Sequence, residues 1–318
     1  MVISFYYDDA LYLLGVSAKY GSIVIRRSLD NGKTWSEPLD EDSGLLFKGG
    51  DDNIPPNYHC APVPIVEYKG RLWRAFEDNV LGSWPDGFYA LVISADIDKD
   101  LLKSSFWAMT NKLAYDFDRD PPEFGRLKDI DSTKPGWLEG NIVVGKNGAL
   151  YNFMRVNSVP IANKVAILEI FSDNIKLDYY HEKEFIDFPG GMSKFTIRYD
   201  PVSKRYLTLS NLVINKKNPW QRNLLVLASS NDLFSWQVHK VLMYKEENID
   251  FINRLSKIGF QYVDWLINGD DIFFVVRTAY NGAHNFHDSN YITFHKLANF
   301  REYLYDTIFK DWSSLFKV

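Results

Sequence analysis

The chain has 318 residues, a hydrophobic fraction of 46% and a formal net charge of −5, so it can bury a sizeable core as one large domain or two ordinary ones. So mild an acidity gives no compositional support for a nucleic-acid partner or for attraction to an anionic membrane, and no apolar run reaches the roughly 18 to 20 residues that span a bilayer. Cys60 is the single cysteine, which excludes a disulfide within the chain.

The first predicted strand, VISFYY, begins at residue 2 and meets Asp8 and Asp9 with no basic stretch ahead of it, so a signal peptide and membrane insertion are not expected. A second strand, ALYLLGVS (10–17), and a third, SIVIRRSLD, come next and lead into SLDNGKTW (28–35). Gly32 there supplies a positive φ, Asp30 and Asn31 bond back to nearby amides, and Trp35 caps an apolar layer, which makes the stretch a tight turn. The same order then recurs. PVPIVEYKG, RLWRAFED (71–78) and YALVISAD form the next unit, and NIVVGKNG, ALYNFMRV (149–156) and VAILEIFSD the third. FTIRYDPVSK, RYLTLSN (205–211) and LLVLASSND form the fourth, and YVDWLINGD, DIFFVVRTAY (271–280) and YITFHKLAN the fifth. Degenerate relatives of the opening turn lie at SADIDKDLLKSSFW (94–107) and SSNDLFSW (229–236). Repeated four-stranded antiparallel units without intervening amphipathic helices predict an all-β fold, a β-propeller spanning residues 1–318 as one domain. Five blades are counted, six remain open, and FREYLYD (300–306) is a candidate for the strand that closes the ring.

In such blades the turns between strands one and two and between three and four share one end, and the remaining loops share the other. The first set is short and made of turn residues. The second set is long and holds nearly every reactive side chain: His59, Glu77, Asp78, Glu139, Arg155, Lys194, Tyr262, Asp264, Arg277, His284, His287 and Asp288. Glu139, in WLEGN beside Trp137, enters an innermost strand, where a carboxylate needs a partner. Tyr262 and Asp264 alternate along a strand and so are expected on one side. Arg155 and Arg277 leave second strands and, with Lys194, would form a positive pocket able to clamp a carboxylate, or else serve rim ion pairs. HNFHD (284–288) offers His284, Asn285, His287 and Asp288 as ligand contacts; two imidazoles do not make a zinc site, and no metal is assigned. There is no Gly-rich phosphate loop, no GxSxG and no HExxH, so no cofactor is expected and hydride and phosphoryl transfer lack support.

The form S-x-D-x-G-x-T-W in SLDNGKTW resembles the aspartate box of the sialidase superfamily. PVPIVEYKGRLWRAFED, WLEGNIVV, SKFTIRYDPVSKRY, GFQYVDW and RTAY…GAHNFHDSNY extend the likeness to bacterial exo-sialidase-like, BNR-repeat glycosidases. The resemblance implies a glycosidase acting on a terminal, acidic sugar of a glycan. It places Tyr262 as nucleophile, Glu139 as its partner, Asp78 as acid/base, and Arg155 and Arg277 as two of three arginines, with Arg74, Arg198 and Arg222 competing for the third. Two other readings stay open: a lyase of uronate-containing glycans, with His59, His284 or Tyr262 removing the proton, and a carbohydrate-binding propeller without turnover.

Overall fold

The strands of the computed structural model, which describes residues 1–51, 54–124, 135–159, 161–246 and 256–315, form five antiparallel sheets in chain order. The first consists of β1 (Val2–Tyr7), β2 (Ala10–Val16), β3 (Ile23–Ser28) and β4 (Leu45–Phe47). In the second, β5 (Tyr58–His59) and β6 (Val66–Tyr68) both pair with β7 (Arg71–Asn79), followed by β8 (Phe88–Asp96) and β9 (Trp107–Met109). Pro62 and Pro64, which lack an N–H for the ladder, lie in the gap between β5 and β6 and account for the broken inner strand. The third sheet runs β10 (Gly136–Val144), β11 (Leu150–Asn157), β12 (Lys164–Phe171) and β13 (Lys176–Tyr179), with β14 (Phe185–Asp187) also on β12. The fourth is β15 (Ile197–Asp200), β16 (Arg205–Asn211), β17 (Leu224–Ser230) and β18 (Trp236–Tyr244). The fifth is β19 (Gly259–Asn268), β20 (Asp271–Ala279) and β21 (Tyr291–Leu297). Meanders of this kind, repeated five times, make a five-bladed β-propeller, and the choice between five and six is settled at five.

The middle strands β7, β11 and β16 are buried on both faces, β7 burying eight of its nine residues, whereas β20 alternates buried and more exposed positions. Arg74 lies inside that strand at 0% exposure, and its guanidinium donates to the carbonyls of Leu14 and Ala61. Burial pushes its pKa below the usual arginine value. By spatial clustering the chain falls into two compact units. The first comprises Met1–Phe117, Gly136–Met154 and Ile167–Glu182; the second comprises Asp118–Pro135, Arg155–Ala166 and Lys183–Val318.

The SLDNGKTW stretch is a turn built on one carboxylate. Asp30 Oδ1 accepts from the amides of Lys33 and Thr34 (3.0 and 2.9 Å), its Oδ2 takes the Thr34 hydroxyl (2.7 Å), and Ser28 Oγ accepts the Gly32 amide (2.8 Å). Trp35 Nε1 donates to the Gly32 carbonyl at 3.1 Å, and Gly32 has φ +85°. The bonds from Thr34, then Ser28, hold the Asp30 carboxyl down at about 2. Residues 230–236 repeat the device: Asp232 Oδ1 accepts the amides of Phe234 and Ser235 (both 2.8 Å), and Trp236 Nε1 donates to Leu233 at 2.7 Å. The stretch at 94–107 keeps less, chiefly Trp107 Nε1 to the Leu101 carbonyl at 2.9 Å.

The expected closing strand is not one. Residues Phe300–Tyr305 form a 3-10 helix that buries Phe300 and Leu304, four apart, in the core of the fifth sheet. Among the described residues that sheet has three strands.

Candidate active site

In the first unit, β5 brings His59 opposite Glu77 and Tyr58 opposite Asp78 on the exit of β7. Glu77, 1% exposed, holds His59 Nδ1 at 2.9 Å on Oε2 and accepts the Gly140 amide at 3.0 Å on Oε1. The preceding residue, Glu139, is 1% exposed and takes φ +59° in the middle of β10, a left-handed conformation that costs a non-glycine residue on the order of 1–3 kcal/mol. Such conformations cluster at sites where side-chain direction matters more than backbone comfort. Glu77 is thus bonded to the backbone directly after the buried Glu139. His59 keeps 17% of its side chain exposed, with its ring edge-on to Phe88 at 5.2 Å, so the imidazole joins the buried carboxylate to the open side. Asp78 is turned elsewhere. It accepts the Asn57 amide (2.6 Å) and pairs with Lys112 Nζ (2.7 Å), and burial together with the Asp78 charge pushes the Tyr58 phenol up to about 12. Trp137 has 0% exposure, donates Nε1 to the Phe88 carbonyl at 3.1 Å and packs on Tyr115 and Tyr179; its ring is core and is not presented to a sugar.

In the second unit, the β19–β20 register slips between Gln261 and Asp264, and Tyr262 sits in the bulge at φ +53°. The extra residue interrupts the ladder at this point, and the two side chains expected on one side meet different partners. Tyr262 lies against Arg277 (4.8 Å from guanidinium to ring centroid) and His287, whereas Asp264 pairs with Arg198 at 3.2 Å. Arg277 Nη2 donates to the His287 carbonyl at 2.6 Å and its Nε to Ser289 Oγ at 3.3 Å. Lys194 is 2% exposed, and its Nζ donates to Thr196 Oγ1 (2.8 Å) and the Val263 carbonyl (2.6 Å), so it ties the segment leading into β15 to β19 rather than facing solvent. Arg155, on β11, is buried. Of the three competing arginines, Arg74 and Arg222 are buried against backbone carbonyls, and Arg198 holds Asp264.

The HNFHD loop is closed on itself. Asn285 Oδ1 accepts the amides of His287 and Asp288 (2.7 and 2.8 Å), and Asp288 gathers Asn285 Nδ2 (2.7 Å) with His284 and His287 at 3.2 and 3.3 Å. His284, then Asn285 and His287, lower the Asp288 pKa. Among the described residues no three His, Cys, Asp or Glu side chains are grouped to hold a metal ion.

Comparison with solved structures places this geometry on a known scaffold. The chain superposes on an α-L-arabinofuranosidase from Lactobacillus brevis with a TM-score of 0.54 at 11% identity, over 93% of this chain and 89% of that one. A GH43 β-1,3-galactosidase matches with a TM-score of 0.51 at 14% identity, over 93% and 89%. A Hadza microbial sialidase matches with 0.53 at 13% identity, over 91% of this chain and 49% of that one. The likeness shows the fold alone. No family profile matches the sequence, and no curated protein sequence does.

Sequence reasoning named Glu77 only as one of several reactive side chains. The signal for its role was the EDN at the exit of β7 facing YH across the ladder, which becomes legible only once the register is known. Glu139 belongs to the first unit, and Tyr262, Arg155, Arg277 and Lys194 to the second.

Proposed function

We propose that the chain is a glycoside hydrolase that removes a terminal sugar from a glycan, with Glu139 and Glu77 as its working carboxylates and His59 oriented by Glu77. The observation that carries this reading is the buried Glu77 carboxylate, bonded to His59 and to the Gly140 amide, next in sequence to the buried Glu139. Most glycosidases divide the work between two carboxyl groups, one exchanging a proton with the leaving group and one acting as base or nucleophile at a centre that becomes positive in the transition state. A propeller fold shared with an α-L-arabinofuranosidase, a β-1,3-galactosidase and a sialidase supports the reading.

A second reading, an exo-sialidase-like enzyme for an acidic sugar, is favoured by the Arg277 guanidinium over the Tyr262 ring and by the aspartate-box form of SLDNGKTW. A neutral Tyr nucleophile avoids repulsion with a substrate carboxylate. Against it, the Arg277 donors already serve His287 and Ser289, and Lys194 is turned inward. The His59–Glu77 pair equally suits proton abstraction in a lyase.

The test is release of sugars from arabinan, galactan, a sialylated glycan and a polyuronate, with ultraviolet absorbance of the products followed in parallel. Hydrolysis without new absorbance, reduced about 10²–10⁴-fold by Glu139→Gln and by Glu77→Gln but little by Tyr262→Phe, is the expected result. Loss on Tyr262→Phe alone favours the acidic-sugar reading. Unsaturated products establish a lyase, and binding without any product establishes a lectin.

A further inference from the structure

At the other end of the first two sheets lies a cleft of about 410 Å³ that the proposed chemistry does not use. It is lined from Tyr7 and Asp8 at the β1–β2 turn, Tyr12 on β2, Arg27 on β3, and Asp98 and Asp100 after β8. Asp96, where β8 ends, pairs with Arg71, six positions along β7 from Glu77, so the cleft is separated from the carboxylates by about 20 Å of strand. All of these residues belong to the first unit.

Tyr12 is the informative side chain. Its ring is buried, with 5% exposure, stacked on Phe5 at 5.1 Å and paired in register with Arg27. Among the described residues no hydrogen bond reaches its hydroxyl, although that side chain lines the cleft. Packing on Phe5 fixes the ring, and the hydroxyl, which keeps contact with solvent at the cleft, has its donor and acceptor free for a ligand. The Asp8 and Asp98 carboxylates also carry no side-chain hydrogen bond or ion pair among the described residues, while Asp100 is engaged by Arg27 at 3.3 Å and by the Leu102 amide at 3.2 Å. Partial burial, then the charges of Asp98 and Asp8, raise the Tyr7 pKa, which keeps a second phenol protonated and able to donate.

The geometry points to a second ligand site here, one that takes a neutral, polyhydroxylated molecule: a sugar unit held by Tyr12, Tyr7, Asp8 and Asp98. The volume falls within the few-hundred Å³ range of small-ligand pockets. The mixture of charges decides the class. An anion meets Asp8, Asp98 and Asp100, a cation meets Arg27 and Lys99, and a polyol can donate to the carboxylates and accept from the phenols. The inference stands on the cleft's own chemistry and does not require turnover at Glu139.

The experiment is isothermal titration of the full chain carrying Glu139→Gln with arabinotriose and galactotriose, with trigalacturonate and spermidine as charged controls. Further variants add Tyr12→Phe, which removes only the hydroxyl, and Asp98→Asn. A neutral trisaccharide is expected to bind at a site whose affinity falls at least tenfold in each added variant, while the charged probes bind more weakly than the neutral ones. In the Glu139 wild-type background, both variants should leave hydrolysis of a short substrate within twofold. Because Tyr12→Phe breaks no hydrogen bond within the protein, its melting temperature should match that of its parent. Neutral-sugar binding that is unchanged by Tyr12→Phe and Asp98→Asn overturns the site, as does absence of binding or a preference for spermidine or trigalacturonate. A chain that binds through Tyr12 yet hydrolyses nothing fails the glycosidase reading and leaves this one standing.

Discussion

At Gly140 a methyl group has nowhere to go. An added Cβ would lie 2.4 Å from Asn152 Oδ1 and 2.7 Å from Met154 Sδ, both buried, while the backbone amide must stay 3.0 Å from Glu77. Gly140→Ala is therefore expected to cost about 1–3 kcal/mol by overpacking and to lower activity further than the surviving folded fraction explains, because the backbone shift that makes room for the methyl moves the amide that Glu77 accepts. Chemical denaturation alongside kcat/KM separates the two effects. Asp30→Ala provides the contrast. It removes the centre of a turn at the far end of its sheet, so the melting temperature should fall while kcat/KM of the folded protein stays unchanged. A large activity loss there would contradict the assignment of the short turns to architecture. Residue chemistry was only partly legible beforehand. The reactive types at loop-rich strand ends were visible, but Trp137 and Lys194 read as contacts because a sequence does not show that an indole NH or an ammonium is already satisfied inside.

The boundaries of the middle strands are readable from the sequence almost to the residue, since β7, β11, β16 and β20 each carry an apolar core of residues between turn residues. Two elements departed from expectation for physical reasons. The bulge at Tyr262 adds one residue against β20 and shifts the register of the residues after it, an event that strict alternation does not anticipate. Residues 300–305 carry apolar side chains at a spacing that also suits one helical turn, and Arg301 decides the matter by reaching Asp200 (2.8 and 2.9 Å) and Asp270 (2.8 Å). Burial works against ionisation of Asp200, but the Arg301 bonds, then Ser203, bring its carboxyl down to about 2. Arg301→Met leaves this buried carboxylate unpaired, and a loss of about 3 kcal/mol is expected. Asp200→Asn in the same chain should recover part of it, as a double-mutant cycle by urea denaturation will report.

Across the whole molecule these carboxylates set the response to acid. Asp30 and Asp200 titrate near 2 in the folded chain against an ordinary value of 3.8, and Asp232 and Asp271 are shifted in the same direction. A depressed folded pKa contributes stability that is present above the unfolded value and is lost as the pH falls through the folded one. The melting temperature should therefore hold above about pH 4 and drop steeply between pH 4 and 2. Asp30→Asn should flatten part of that drop. Tyr58 works at the opposite limit: its phenol is raised from 10.0 to about 12, so its contribution is complete below pH 10 and disappears as the pH rises toward 12. The five-bladed plan was legible because repetition reports the same unit several times over. The site was less so, because a single chain states each of its loops only once.

The two well-formed turns, at 28–35 and 230–236, share their bonding although they stand about two hundred positions apart and one uses Gly32 where the other uses Leu233 at φ +78°. A common hydrogen-bond scheme surviving such divergence reads as ancestry, a hairpin copied along the chain and then left to drift. The copies kept their inherited instructions at the end of the blade away from Glu77 and Glu139, and the opposite end was free to acquire a different loop in every blade.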